Sequence, residues 1–180
     1  NTDAINRTRI QYGTSFFYPT AVVGSHVSAV PNHQTGRITS LNTRGVVAMA
    51  GTFGYEMNPA LLSSEEKEEI RTQLATYRRH QELIREGDYY RIASYSENHL
   101  YDCWAVSAKD KSEVLVTYVQ VLSTPNAHSR KLYLKGFEPQ AVYRLEETEE
   151  TFTGEILEYG YLIRPLWGDF RSKLLHFTKI

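Results

Sequence analysis

Cysteine is almost absent from this 180-residue sequence, which contains only Cys103. One cysteine excludes the internal disulfide framework that is typical of small secreted domains, and it fits a reducing compartment. We therefore expect a cytoplasmic protein. Cys103 precedes Trp104 in a segment with alternating polarity, so we predict a buried small residue and not a reactive thiol.

Long apolar runs and an excess of charge of either sign are also lacking. No apolar run is long enough to cross a bilayer, and the first residues do not show the basic-then-apolar pattern of a signal peptide. The formal net charge is -1, which gives no electrostatic indication of DNA or RNA binding. We predict neither a membrane nor a nucleic acid as a partner.

Common signatures of catalytic and metal sites are missing as well. The sequence has no Gly-rich phosphate loop, no Cys-x-x-Cys pair, no His-Glu-x-x-His and no Gly-x-Ser-x-Gly. His26 and His33 have no carboxylate or cysteine close to them in sequence, which is a poor pattern for a metal site. We expect no metal and no cofactor.

The residues that are present divide the chain into two parts, with a change of pattern near Gly87. Apolar residues make up 41% and charged residues 23%, an ordinary balance for a globular protein of one domain or two small ones. Helical patterns alternate with short apolar runs before Gly87, and strand patterns dominate after it. We predict domains at 1–87 and 88–180.

The first part alternates helices with buried strands. Helices are predicted at 3–17, 41–50 and 63–86, and strands at 20–27 and 52–55. Ser63 and Glu66 form a capping-box pattern at the start of the longest helix, and Gly87 is placed to end it. This order is typical of a parallel sheet covered by helices, but two strands are too few to close one.

The second part consists of short strands separated by turns. Strands are predicted at 101–108, 113–122, 130–137, 141–146, 161–164 and 173–178. The segment AKDKS, residues 108–112, is a hairpin turn between the first two strands. Several short strands with turn signals between them predict an antiparallel sandwich.

Aromatic residues are numerous, with 13 tyrosines and two tryptophans. They fit amphipathic β-structure, in which one face of each strand is buried. They also fit a surface on which sugar rings stack. Both interpretations stay open on the sequence alone.

A polar loop after the first predicted strand is the best candidate site. The segment GSHVSAVPNHQTGR places His26 at the end of that strand and Asn32 and His33 on the loop that follows. Functional residues gather where parallel strands end, so these three are candidates for the rim of a substrate pocket. The alternative is that Asn32, His33 and Gln34 bond to their own backbone and only hold a long loop.

Three segments of the first part carry a specific resemblance: TDAINRTRIQYGTSFFYP, GSHVSAVPNHQTGR and TRGVVAMAGTFGYEMN. Together with the β-rich region they resemble bacterial α-galactosidases of glycoside hydrolase family 36, over essentially the whole chain. The family implies an N-terminal β-supersandwich, a central (β/α)₈ barrel and a C-terminal antiparallel β-sandwich. A barrel takes about 250 residues, so this chain has room for only part of one. The predicted fold class is therefore α+β: a barrel remnant of about two βα units, followed by an antiparallel β-sandwich.

The resemblance also implies a chemistry, which is retaining hydrolysis of terminal α-galactosides such as raffinose and melibiose. Two aspartates about 5–5.5 Å apart carry it, one as nucleophile and one as acid/base. In the family the acid/base is the first aspartate of a Ser-Asp-Asn-Thr-Asp-Ala pattern, whose last four residues match residues 1–4. The resemblance thus places the acid/base just before Asn1 and the nucleophile further upstream. Asp3 matches the second aspartate of the pattern and is expected at a helix N-terminus.

From these implications we expect the C-terminal portion of an α-galactosidase that is inactive alone, because no catalytic residue is expected within it. The partners implied are α-galactoside oligosaccharides, the rest of the barrel and further copies in a homo-oligomer. Two alternatives remain for the β-rich part, a non-catalytic carbohydrate-binding module and a structural or oligomerisation module.

Overall fold

Two short parallel strands form the centre of the N-terminal part in the computed structural model, which describes residues 1–180. The chain divides into an N-terminal unit, Asn1–Arg85, and a C-terminal unit, Glu86–Ile180. None of the helices combines the length and the apolar character that a membrane span requires.

The N-terminal unit has the predicted order of helix, strand, helix, strand and helix. Its elements are α1 (Ala4–Thr14), β1 (Gly24–Ser28), α2 (Leu41–Ala48), β2 (Thr52–Glu56) and α3 (Ser64–Glu86). Strands β1 and β2 pair in parallel, with Gly24 opposite Thr52 and Ser28 opposite Glu56. Each strand is followed by a helix, so the unit consists of two βα units preceded by α1.

The caps of the helices explain where they begin. The Asp3 carboxylate caps α1 by accepting from the backbone N–H of Ile5 at 2.9 Å. At α3 the predicted capping box is confirmed: Ser63 N–H donates to Glu66 Oε2 at 2.9 Å and Glu66 N–H donates to Ser63 Oγ at 3.2 Å. Both caps satisfy amide donors that have no partner within the helix.

Two predicted elements of this unit differ from the structure by more than two residues at one end. Helix α1 stops at Thr14 and not at residue 17. A tight turn ends it, in which Phe16 N–H donates to the Gly13 carbonyl. The strand predicted from residue 20 begins only at Gly24, because Thr20–Val22 forms a 3₁₀ turn. That shift places His26 in the middle of β1 and not at its end.

One cluster of the N-terminal core joins β1, α2, β2 and α3. Val27, Leu41 and Ala48 are buried together, and the partly buried Phe53 and Ile70 pack against them. Further apolar side chains of this unit are also buried, among them Ile5, Val46, Val47, Met49, Leu83 and Ile84. Full burial of one such side chain contributes about 1.5–3 kcal/mol.

The C-terminal unit contains two sheets around one core. Its elements are β3 (Asp88–Ala93), α4 (Tyr95–Asn98), β4 (Tyr101–Ser107), β5 (Glu113–Gln120), β6 (Arg130–Leu132), β7 (Val142–Leu145), β8 (Thr151–Thr153), α5 (Gly154–Gly160), β9 (Tyr161–Ile163) and β10 (Arg171–Lys179). Six strands form an antiparallel sheet in the order β3-β4-β5-β10-β7-β8, and β6 pairs with β9 in a second, two-stranded sheet. The fold class predicted from the sequence, a barrel remnant of two βα units followed by an antiparallel β-sandwich, is confirmed.

Aromatic side chains fill the space between these two sheets. Tyr118, Tyr143 and Phe177 are fully buried, and the ring of Phe137 meets that of Tyr143 edge to face at 4.9 Å. Cys103 lies in the same core, as predicted, and burial raises the pKa of its thiol. The aromatic rings of the large sheet thus contribute to packing, as the amphipathic interpretation predicts.

Several details of this unit differ from the sequence prediction. The hairpin turn at 108–112 is confirmed, with Ala108 N–H on the Glu113 carbonyl at 2.9 Å. The strand predicted at 130–137 ends at Leu132, and Gly136 with φ 98° lies where a strand cannot continue. Strands β3 and β8 and helices α4 and α5 were not predicted.

Candidate functional site

The candidate site combines the loop after β1, residues 29–40, with the first residues of the chain and the side chains on β1 and β2. Ser28 and Glu56 are the last residues of their strands, at the edge where parallel sheets carry functional groups.

His26 forms a cluster with two charged side chains. Its Nε2 lies 2.7 Å from Glu56 Oε2 and 3.1 Å from Arg7 Nη2. Burial lowers the pKa of His26, the guanidinium of Arg7 lowers it further, and Glu56 offsets part of this effect. The lowered pKa favours the neutral imidazole at pH 7, and the tautomer with its proton on Nε2 is the one that can donate to Glu56.

Arg7 joins α1, β1 and the first residue of the chain. It is 5% exposed and donates to Ser25 Oγ at 3.1 Å, to the Gly24 carbonyl at 3.4 Å and to the Asn1 carbonyl. Burial lowers the pKa of Arg7, and Glu56 offsets part of that effect. A planar guanidinium serves several acceptors at once, so one side chain fixes three backbone segments.

Asp3 anchors the loop from its other end. Besides capping α1, its Oδ2 accepts from Thr35 Oγ1 at 2.6 Å and forms an ion pair with Arg37 Nη1. Burial alone raises the pKa of Asp3, but the hydrogen bonds from Thr35 and Arg37 outweigh it, so the pKa lies below the usual 3.8. Asp3 stands at the helix N-terminus, where the resemblance places it.

Asn32 is buried and serves the backbone. Its Oδ1 accepts from Gln34 N–H at 3.0 Å and Thr35 N–H at 3.1 Å, and its Nδ2 donates to Thr2 Oγ1 at 2.9 Å. These contacts support the interpretation that Asn32 holds the loop together, and they add a tie to residue 2.

The structure brings together only part of the predicted set. His26 joins Arg7 and Glu56, whereas Asn32 joins Thr2, and His33 is exposed on the loop. Arg7 and Glu56 were missed, because each is an ordinary charged residue within an element and no motif marks it.

Chemically, the arrangement fixes the first residues of the chain from three directions: Arg7 holds Asn1, Asn32 holds Thr2, and Thr35 with Arg37 holds Asp3. The carboxylate of Asp3 is fully occupied by its cap and its ion pair. The network therefore suits the positioning of a backbone segment and not proton transfer by its own groups.

Comparison with protein families gives two matches along the chain. The family described as Melibiase matches residues 1–87, and the family described as glycosyl hydrolase family 36 C-terminal domain matches residues 101–177.

Individual proteins match over nearly the whole chain. The bifunctional alpha-galactosidase/sucrose kinase AgaSK of Mediterraneibacter gnavus is 47% identical over 181 residues, which is 100% of this chain and 19% of that protein. Alpha-galactosidase AgaA of Geobacillus stearothermophilus is 46% identical over 97% of this chain and 24% of its own length. The chain thus spans about a fifth to a quarter of the relatives it matches.

Solved structures agree with these matches. The galactosidase domain of AgaSK superimposes with a TM-score of 0.96 at 48% identity. The match covers 100% of this chain and 25% of that domain's chain. An AgaA variant from Geobacillus stearothermophilus in complex with raffinose superimposes with a TM-score of 0.97 at 41% identity and the same coverage.

Proposed function

Because this chain belongs to glycoside hydrolase family 36 and matches the C-terminal portion of its enzymes, we propose that it is part of an α-galactosidase. The substrates proposed are oligosaccharides with a terminal α-galactose, such as raffinose and melibiose. The observation that carries this proposal is the match of the entire chain, in sequence and in fold, to a quarter of a galactosidase domain.

The reaction proposed is retaining hydrolysis by two aspartates that both lie outside this chain. One attacks the anomeric carbon, while the other protonates the leaving oxygen and then activates water. The proposed acid/base immediately precedes Asn1. The ties from Arg7 to Asn1 and from Asn32 to Thr2 support this placement, since a carboxylate next to a rigid backbone keeps its geometry.

His26, Asn32 and His33 are proposed at the rim of the galactose pocket, in different roles. His33 is exposed and available to a ligand. Asn32 donates to Thr2, and His26 contacts the Arg7 and Glu56 side chains. We therefore propose that these two residues maintain the shape of the rim.

For the C-terminal unit we propose a structural role that supports the barrel and contributes to a homo-oligomer. A carbohydrate-binding module would present a row of aromatic rings on one face of its sheet. Here the rings of Tyr118, Tyr143 and Phe177 are buried, which favours the structural role. The single buried Cys103 fits our proposal of a reducing, cytoplasmic location.

The experiment compares the 180-residue chain with the product of the complete gene. We expect the complete protein to release galactose from raffinose and from an aryl α-galactoside, and the chain alone to release none. Turnover by the purified chain would show that the catalytic residues lie within it. An inactive complete protein with Ser-Asp encoded directly before Asn1 would overturn the proposed activity.

A further inference from the structure

A groove of about 950 Å³ opens on the C-terminal unit between the segment after β5 and the segment before β10. Its lining includes Ser123, Asn126, Pro165, Trp167 and Asp169. Trp167 is part of this lining and is 95% exposed, so its ring is open to solvent. Full exposure of so large an apolar ring is unfavourable in water, and a ligand that covers the ring removes this cost.

The loop that carries Trp167 is held firmly by Gln120. The fully buried Gln120 donates from Nε2 to the carbonyls of Leu166 at 2.7 Å and Gly168 at 2.8 Å, and its Oε1 accepts from Leu166 N–H at 3.1 Å. Arg171 Nε donates to the Trp167 carbonyl at 3.0 Å. The backbone on both sides of the ring is therefore fixed before any ligand arrives, which lowers the entropy cost of binding.

The second wall of the groove is tied to the same loop. Asp169 Oδ1 accepts from Ser123 N–H at 2.7 Å and from Ser123 Oγ at 2.8 Å. These bonds lower the pKa of Asp169 and keep it ionised. Its other oxygen, Oδ2, takes no part in these bonds and is an acceptor for a ligand.

The chemistry of the lining selects a class of ligand. Asp169 is the only charged residue among those that line the groove, so anions such as phosphates are disfavoured. An indole face binds an apolar planar surface, and a carboxylate beside it accepts hydrogen bonds from hydroxyl groups. A pyranose ring offers both, with C–H bonds on one face and hydroxyls around its edge.

We propose that this groove binds one neutral sugar ring of an oligosaccharide, stacked on Trp167 and hydrogen-bonded to Asp169. The site differs from the row of sheet aromatics considered above, since it uses a single ring on a loop. It also does not depend on hydrolysis, because it lies within the C-terminal unit and requires none of the catalytic residues.

The two tryptophans make the test direct, because Trp104 is 5% exposed and Trp167 is 95% exposed. The 180-residue chain is titrated with stachyose, with raffinose and, as a viscosity control, with glycerol, while NMR follows both indole N–H signals. We expect a saturable shift of the Trp167 signal with the sugars only, and no shift of the Trp104 signal.

Variants assign the binding to the groove. Trp167→Ala is expected to weaken sugar binding on the order of tenfold or more, and Asp169→Asn to weaken it with the fold retained. Tyr159→Ala is the matched control, since Tyr159 is 76% exposed and lies outside the groove lining. Trp167→Ala folds normally if the Trp104 signal is unchanged.

Three results would overturn the proposal. The first is a linear shift that stachyose and glycerol share. The second is sugar binding that persists in folded Trp167→Ala. The third is a change in sedimentation of Trp167→Ala without any sugar response of the parent chain, which would identify the groove as a contact between copies.

Discussion

The side-chain amide of Asn32 donates to the hydroxyl of Thr2 at 2.9 Å, which ties the loop after β1 to the first residues of the chain. The same side chain accepts two backbone N–H bonds within the loop, from Gln34 and Thr35. One buried residue therefore maintains both the shape of the loop and its attachment.

Replacing Asn32 by Ala leaves two backbone donors and the Thr2 hydroxyl without their partner. We expect the N-terminal unit to lose about 1–3 kcal/mol of unfolding free energy, since three part-buried hydrogen bonds are lost and each contributes about 0.5–1.5 kcal/mol. Urea denaturation followed by far-UV circular dichroism measures this loss. Tryptophan fluorescence would report on the C-terminal unit instead, because both tryptophans lie there. His33→Ala, at an exposed position on the same loop, serves as the control and should unfold like the parent.

In the complete enzyme, Asn32→Ala should also lower kcat more than it raises KM, because the residues beside the proposed acid/base lose their tie. If Asn32→Ala lowers the unfolding free energy as predicted but leaves kcat unchanged, Asn32 has a structural role only.

The lowered pKa of Asp3 predicts an acid limit to the stability of the N-terminal unit. A carboxyl with a lowered folded-state pKa contributes stability above its unfolded pKa of about 3.9, and this contribution is lost as the pH falls through the folded value. Asp3→Asn keeps an N-cap oxygen but cannot ionise, so its stability should depend less on pH below about 4. Urea midpoints between acid and neutral pH compare the two proteins. If the urea midpoints of parent and variant depend on pH in the same way, Asp3 does not cause the acid limit.

The neighbours of His26 predict opposite shifts of its titration. The parent histidine should titrate below about 6.5, since burial and Arg7 lower its pKa. Arg7→Gln should raise the midpoint, and Glu56→Gln should lower it further. NMR titration of the imidazole Cε1–H signal measures all three proteins. Shifts of the same sign in both variants would indicate that the cluster rearranges.

The same histidine affects stability in a definite direction. Because its folded-state pKa is lowered, the unfolded chain takes up the proton first as the pH falls below about 6.5. Stability from His26 is thus present above that pH and is lost as the pH falls through the folded value, and His26→Gln should remove this component.

Close packing of α2 against α3 predicts a large effect of a small change. A Cβ at Gly45 would lie 2.4 Å from the amide atoms of Gln73, which donates to the Leu41 carbonyl at 3.0 Å and accepts from Tyr55 at 2.8 Å. We expect Gly45→Ala to destabilise the N-terminal unit by about 1–2 kcal/mol, because the loss of both amide hydrogen bonds outweighs the gain of about 1 kcal/mol from alanine within a helix. In a Gln73→Ala background the clash is absent, so the same substitution should then cost far less. Thermal unfolding of the parent, both single variants and the double variant completes this double-mutant cycle.

The sequence correctly predicted those features that depend on residues close together along the chain. The capping box at Ser63 and Glu66 and the turn at 108–112 were found because neighbouring residues create them. Strand β3 was missed, because it follows α3 directly and no loop separates the two.

The candidate site depended on contacts over a long sequence distance. The polar loop was recognisable, but its link to Thr2 spans 30 residues, and no local pattern marks it. His26 was selected and Glu56 was not, because the register that pairs His26 with Gly54, and so brings Glu56 to a diagonal position two residues further on, is a property of the folded sheet.

The sheet of β1 and β2 has only two strands, so each strand has one edge without a strand partner in this chain. Side chains already occupy part of these edges, because Arg7 donates to the Gly24 carbonyl, Arg44 donates to the Ser28 carbonyl and Phe53 N–H donates to the Tyr77 hydroxyl. The remaining N–H and C=O groups of an edge are a template for another β-strand. In the proposed complete enzyme, neighbouring barrel strands would pair there in backbone register. In the isolated chain, association with a second copy should therefore begin at the positions of these edges that no side chain occupies.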